Sequence, residues 1–127
     1  MSTRLFAILM IAATAAGLPA MGDPTAADGQ KIFNRTCALC HSIEPGQNLV
    51  GPSLAGVVGR KAGQVEGFPY SDANRKSGLT WDPQTLNTYL TSPRGLVPGT
   101  KMSFPGLKNP DDRAAIIAFL ESKSASN

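Results

Sequence analysis

The sequence predicts an all-α fold in which three main helices are joined by long loops. Three segments begin with a residue that caps helix N-termini and continue with apolar residues at helical spacing. Most of the 13 glycines and 10 prolines lie between residues 45 and 106, too closely spaced for a regular sheet. No repeat or low-complexity segment interrupts this pattern, so we expect one domain.

The N-terminal segment has the parts of a secretory signal peptide. A positive charge precedes an almost unbroken apolar run at residues 5–17, and the small residues Ala20 and Gly22 follow it. A retained membrane anchor is the alternative, but this run spans only about 20 Å of helix, against a hydrocarbon core of roughly 30 Å. The sequence therefore predicts a cleavable signal over residues 1–22, or cleavage after Ala20, and a domain over residues 23–127.

The first helix of the domain is predicted from Thr25 to about Cys37, with Thr25 or Asp23 as its N-cap. Gly29 and Phe33 lie on one side of it, at i, i+4 spacing. A glycine inside a helix costs roughly 1 kcal/mol relative to alanine. Either the helix tolerates this cost, or a second helix crosses closely at Gly29.

Two further main helices follow. Asp82-Pro83 begins one that Pro93 ends, and Asn109-Pro110 begins the C-terminal one. Shorter pieces are expected as a helical turn at 52–58 and as either a helix or a turn at 71–76. The apolar faces of the two main helices consist of Leu86, Tyr89 and Leu90 in one, and of Ile116, Ile117, Phe119 and Leu120 in the other.

The charge and the residue inventory exclude several classes of function. Removal of residues 1–22 takes away Arg4 alone among the charged residues, so the net charge falls from +3 to +2. With no basic run longer than two residues, this charge is too small for nucleic-acid binding. The same cleavage leaves one His, two Cys and a single Met, Met102.

The strongest chemical signal is the pentapeptide Cys37-Ala38-Leu39-Cys40-His41. Two thiols three residues apart on a helical turn can each add to one vinyl group of haem, and the next imidazole can reach the iron from the same side. A thioredoxin-like pair needs a βαβ setting that is not seen, a disulfide would close a trivial loop, and zinc needs four ligands where the chain has three. The sequence therefore predicts covalent haem, with a non-haem thiol protein as an alternative.

Met102 is the candidate for the second axial ligand, because no second His exists. It follows a turn at Pro98-Gly99 that can hold the side chain at a fixed angle toward a metal. A thioether favours reduced iron and raises the potential. The alternative is that Met102 fills the core, and a haem enzyme or gas sensor would then keep an open coordination site.

Together these motifs resemble the class I soluble cytochromes c of bacteria and mitochondria, over nearly all of residues 25–121. The resemblance implies the class I cytochrome c fold around one haem c, with His41 and Met102 as axial ligands. It also implies a periplasmic one-electron carrier that is not an enzyme and has no catalytic residues. Besides the pentapeptide, the residues that carry it are Gly29, Phe33, Gly51-Pro52, Gly59-Arg60-Lys61-Ala62-Gly63-Gln64, Gly67-Phe68-Pro69-Tyr70-Ser71-Asp72-Ala73-Asn74, Trp81, Tyr89, Pro98-Gly99-Thr100-Lys101-Met102 and Ile117-Ala118-Phe119-Leu120.

The resemblance further implies a set of contacts around the haem. They are the Pro52 carbonyl to His41, Tyr70 and Trp81 to one propionate, Arg60 beside that propionate, Thr100 near the second propionate, and Tyr89 beside the Met102 sulfur. Tyr89 and Trp81 are equally consistent with ordinary core aromatics, and Arg60 with a solvated surface charge.

Partner docking is expected to be weakly electrostatic. In mitochondrial relatives a ring of lysines around the exposed haem edge binds acidic partners, whereas Thr36 and Leu49-Val50 stand here at positions where lysine is often found. The implied partners are a cytochrome bc-type complex and a terminal oxidase, photosynthetic reaction centre or periplasmic reductase. They would meet a monomer with no membrane span after cleavage. The remaining rim candidates are Lys31, Lys61, Lys101 and Lys108.

Overall fold

The structure, a computed structural model, describes residues 24–124, and no strand occurs within that range. Its helices are α1 (Ala26–Thr36), α2 (Asp72–Lys76), α3 (Pro83–Thr91), α4 (Pro93–Leu96) and α5 (Pro110–Ser124). None of the helices in this part of the chain is long and apolar enough to cross a membrane. The all-α prediction is confirmed, whereas the signal peptide predicted over residues 1–22 lies outside the described residues.

Helix α1 begins at a reciprocal capping box. Thr25 Oγ1 accepts a hydrogen bond from the Asp28 N–H at 3.2 Å, and the Asp28 carboxylate accepts one from the Thr25 N–H at 3.3 Å. Thr25 is therefore the N-cap. The helix ends at Thr36, and the Cys37 N–H still donates to the Phe33 carbonyl at 2.8 Å. The pentapeptide thus starts on the last turn of a capped helix.

Helices α1 and α5 cross closely at Gly29. A Cβ at this position would lie 2.6 Å from the carbonyl carbon of Ala115 and 2.7 Å from the Cβ of Phe119. One helical turn further, the ring centroids of Phe33 and Phe119 are 5.4 Å apart. The close crossing is confirmed as the reason for a glycine inside α1, because any side chain would separate the two backbones.

Pro93 ends α3 but also begins α4, which the sequence did not predict. Ser92 follows the last residue of α3, and its Oγ accepts a hydrogen bond from the Gly95 N–H at 3.2 Å. The same residue is therefore the N-cap of α4, with Pro93 at the first helical position. Of the two short pieces, 71–76 contains helix α2, whereas 52–58 forms turns without a helix.

The N-cap of α3 predicts a defined sensitivity to acid. The Asp82 carboxylate accepts a hydrogen bond from the Thr85 N–H at 2.8 Å, and this bond holds the pKa of Asp82 below its ordinary value. A depressed folded-state pKa means that the stabilisation is complete above the unfolded-state pKa of about 3.9 and is lost as the pH falls through the folded-state pKa. Asparagine keeps a capping oxygen but does not titrate.

We therefore expect Asp82→Asn to weaken the pH dependence of the free energy of unfolding below about pH 4. Denaturant unfolding at a series of pH values measures this dependence. Glu66→Gln is the matched control, since it removes an exposed carboxylate that caps no helix. If the free energy of unfolding of Asp82→Asn and of the unmodified protein fell equally with decreasing pH, the Asp82 cap would not be the source of the acid sensitivity.

Candidate functional site

A cavity of about 420 Å³ opens among α1, α3, α5 and the loops between them. Its size lies in the range of cofactor sites, and its mostly apolar wall suits a large apolar group. Each of the three main helices contributes to it some residues of the apolar face that the sequence predicted. The apolar wall residues include Phe33, Leu54, Val57, Leu86, Leu90, Ile116 and Leu120.

Cys37, Cys40 and His41 all line this cavity. The Cys40 N–H and the His41 N–H both donate to the Cys37 carbonyl, at 3.0 and 2.9 Å, so one tight turn carries all three side chains. No disulfide joins these two cysteines to each other. Burial is the main cause that raises the pKa of the Cys37 thiol to about 11, and the neighbouring Cys40 adds to it. This thiol therefore keeps its proton at neutral pH.

The imidazole of His41 is held in one tautomer. Its Nδ1 lies 2.7 Å from the Pro52 carbonyl oxygen, which can only accept a hydrogen bond, so Nδ1 carries the proton and Nε2 carries a lone pair. Burial lowers the pKa of His41 and outweighs the opposing effect of the Pro52 hydrogen bond. The ring is therefore neutral, the form that ligates metals.

Gly51 makes room for this ring. A Cβ at Gly51 would lie 2.7 Å from His41 Nδ1 and 2.8 Å from Nε2, closer than non-bonded atoms approach. The Gly51 N–H also donates to the Cys40 carbonyl at 2.7 Å. The Gly51-Pro52 pair thus packs the loop against the imidazole and presents the Pro52 carbonyl to it.

The Met102 thioether also lines the cavity, and a small hydrogen-bond network orients it. The Tyr89 hydroxyl, on α3, donates to Met102 Sδ at 3.3 Å and lies 3.4 Å from Thr100 Oγ1. Thr100 Oγ1 in turn accepts a hydrogen bond from the Met102 N–H at 3.3 Å. Met102 therefore differs from a core-filling methionine, because its sulfur accepts a hydrogen bond and lies at the wall of a cavity.

Arg60, Tyr70 and Trp81 form a more polar part of the wall. The Arg60 guanidinium donates to the carbonyls of Ala55 at 3.0 Å and Ser53 at 3.2 Å, so it is held inward and is not a freely solvated charge. Burial lowers the pKa of Arg60. The Tyr70 hydroxyl accepts a hydrogen bond from a loop N–H, and the buried Trp81 ring lies 4.7 Å from that of Tyr89.

The structure thus brings every site residue that the sequence singled out to one cavity: Cys37, Cys40, His41, Pro52, Arg60, Tyr70, Trp81, Tyr89, Thr100 and Met102. Sequence reasoning missed Asn48 and Ser53, which hold the Pro52 segment. Ser53 is only 3% exposed and bonded on several sides. No motif or periodicity marks either residue, because their contacts depend on how the loop is folded.

Helices around an apolar cavity, with two thiols, a neutral imidazole and a thioether in its wall, define a haem protein of the c type. A family model described as Cytochrome c matches residues 26–124. The chain belongs to the cytochrome c family: it is a one-electron carrier with covalently attached haem c, and Cys37 and Cys40 have the spacing of the attachment motif.

Known relatives agree with this assignment. Cytochrome c2 of Rhodoblastus acidophilus is 62% identical over 100 residues, which are 78% of this chain and 91% of that protein. Cytochrome c2 iso-2 of Magnetospirillum fulvum is 63% identical over 96 residues, 76% of this chain and 99% of that protein. The solved structure of cytochrome cH from Methylobacterium extorquens is 50% identical, covers 78% of this chain and 99% of its own, and superposes with a TM-score of 0.74. The predicted class I fold is confirmed.

Proposed function

We propose that this protein is a periplasmic electron carrier whose haem is bound through thioethers to Cys37 and Cys40 and ligated by His41 Nε2 and Met102 Sδ. The observation that carries the proposal is that these four side chains line one apolar cavity, with the imidazole neutral and the sulfur oriented. When bound, haem supplies an iron that gains and loses one electron.

Residues around His41 and Met102 favour electron transfer without movement of these two side chains. Pro52 and Gly51 hold the His41 ring, and Tyr89 holds the Met102 sulfur, so neither ligand has to move when the charge at the centre changes. The apolar wall excludes water, and a thioether ligand favours the reduced state. If His41 and Met102 both ligate the iron, no open coordination position would remain for a substrate, and we propose a carrier without enzymatic activity.

The docking face is proposed to lie where the segments of Cys40 and Gly51 run side by side, joined by their 2.7 Å hydrogen bond. Leu39 and Val50 flank this bond and are 88% and 77% exposed, and Val50 also lines the cavity. Of the predicted lysine rim, Lys101 lines the cavity as well. An apolar edge with few cations favours docking through apolar contact with the partner over long-range electrostatic attraction of it.

The partners proposed for this face are a cytochrome bc-type complex and a terminal oxidase, reaction centre or periplasmic reductase. Because exposed Leu39 and Val50 form this face and only Lys101 of the four lysine candidates lines the cavity, the rate of electron exchange with an isolated bc-type complex should depend only weakly on ionic strength. A steep decline of that rate with added salt would instead indicate a lysine-dominated interface.

An absorption spectrum of the purified protein in both oxidation states tests the proposal. Sharp α and β bands in the reduced protein and a weak band at the red end in the oxidised protein indicate low-spin haem with a sulfur ligand. Carbon monoxide binding to the native reduced protein would mean that the sixth site is open. Free thiols in the purified protein would contradict covalent attachment.

The periplasmic location rests on the signal predicted over residues 1–22. Mass spectrometry of the protein from the periplasmic fraction should give the mass of residues 23–127 plus one haem. A mass that still includes the first 22 residues would contradict cleavage.

A further inference from the structure

We propose that Asn48 is a positioning residue that tunes the haem ligand His41 through the Pro52–Ser53 peptide group. This inference rests on the proposed ligation of iron by His41. It adds a residue that no part of the attachment motif contains and that does not line the cavity.

One peptide group connects the two side chains. Its carbonyl oxygen, on Pro52, lies 2.7 Å from His41 Nδ1, and its N–H, on Ser53, donates to Asn48 Oδ1 at 3.0 Å. The peptide is trans, so its C=O and N–H point in opposite directions. Asn48, the peptide and the imidazole therefore form one continuous chain of hydrogen bonds.

The Asn48 side chain is itself held in place. Its Nδ2 donates to the Glu66 carbonyl at 3.3 Å, which leaves Oδ1 directed at the Ser53 N–H. Ser53 is 3% exposed, so its N–H is shielded from water while Asn48 is in place. The folded loop thus fixes the hydrogen bond from the Ser53 N–H to Asn48.

This chain of hydrogen bonds should change the basicity of His41 in a definite direction. Hydrogen bonds in series polarise one another, so a bonded Ser53 N–H makes the Pro52 carbonyl oxygen a stronger acceptor. A stronger acceptor at Nδ1 raises the basicity of the imidazole at Nε2, and a more basic ligand stabilises oxidised iron. Asn48 should therefore lower the midpoint potential of the haem-loaded protein.

Asn48→Ala removes the acceptor and should raise the midpoint potential. At the midpoint of the unmodified protein, we expect the ratio of reduced to oxidised variant to rise about two- to fourfold, with the low-spin spectrum retained. NMR provides a second readout, because the Ser53 amide proton and the His41 Nδ1 proton should both shift and exchange faster with solvent.

Ser53→Ala is the control for simple loosening of the loop. It removes the 2.6 Å bond from Ser53 Oγ to the Glu44 carbonyl and the bond from the Ala55 N–H, but it keeps the Ser53 N–H on Asn48. It should lower stability and shift the potential far less than Asn48→Ala does. An equal rise of the potential in Ser53→Ala and Asn48→Ala would overturn the inference.

Asn48→Asp keeps an acceptor for the Ser53 N–H and makes it charged. Gln47→Glu places the same charge on the adjacent exposed residue, whose side-chain oxygen accepts a hydrogen bond from Ser42 Oγ. Asn48→Asp should lower the potential further than Gln47→Glu does, and this comparison holds even where Asn48→Ala does not fold. Equal potentials for the two acidic variants would overturn the inference.

The outcomes separate this inference from the proposed function. An unshifted potential in Asn48→Ala, with a normal low-spin spectrum, refutes the role of Asn48 and leaves the ligation of His41 standing. A spectrum of the unmodified protein without low-spin haem refutes the ligation itself.

Discussion

Met102→Ala is expected to abolish the weak red band of the oxidised protein and to let the reduced protein bind carbon monoxide. The thioether is the proposed soft ligand, and a soft ligand favours reduced iron, so its loss should lower the midpoint potential. At the midpoint of the unmodified protein, the ratio of oxidised to reduced variant should rise by roughly a hundredfold or more. Spectra of both oxidation states and a redox titration measure the two effects.

Tyr89→Phe is the matched control for this change. It removes the 3.3 Å hydrogen bond to Met102 Sδ but leaves the sulfur in place. It should keep the red band and shift the potential by far less. A Met102→Ala protein with the spectrum and potential of the unmodified chain would show that the iron has another sixth ligand.

Gly29→Val is expected to produce the largest loss of stability. Its Cβ would meet backbone and side-chain atoms of α5 at 2.6 and 2.7 Å, and backbone cannot yield as a flexible side chain does. The helices must then move apart, which also separates Phe33 from Phe119. The free energy of unfolding should fall by about 3 kcal/mol or more.

Gln30→Val is the control for this experiment. It introduces the same β-branched residue at the next position of α1, which is exposed. It should cost well under about 1 kcal/mol, since only helix propensity is at issue. Denaturant unfolding compares the two variants, and a similar small loss in both would show that α1 and α5 tolerate a side chain at the crossing.

Several features could be predicted from the sequence because their causes are local. The two cysteines and His41 are chain neighbours, so their spacing alone places them on one turn. The start of α3 at Asp82-Pro83 could also be predicted, and the N-cap of α1 was limited to Thr25 or Asp23, because a cap acts within three residues of itself. The apolar faces of the helices follow from their periodicity, and the structure confirms that they are buried.

Other features depend on contacts between distant parts of the chain. Gly29 could be interpreted as tolerance or as a close crossing, and only the position of Ala115 distinguishes the two. Pro93 predicted the end of α3, but the start of α4 depends on how the Ser92 side chain turns toward Gly95. Asn48 carries no sequence signal, because its importance comes from the Ser53 N–H that the folded loop directs at it.

The sequence by itself therefore determined the covalent attachment of haem, and it predicted one imidazole and one thioether as the candidate ligands. The physical reason is that these groups are identified by residue type and by spacing along a few residues. Only the tertiary structure decided how the groups are held, through the neutral tautomer of His41, the hydrogen bond on Met102 and the helix crossing. Those features require that chain-distant residues approach within hydrogen-bonding or van der Waals distance, which no local pattern encodes.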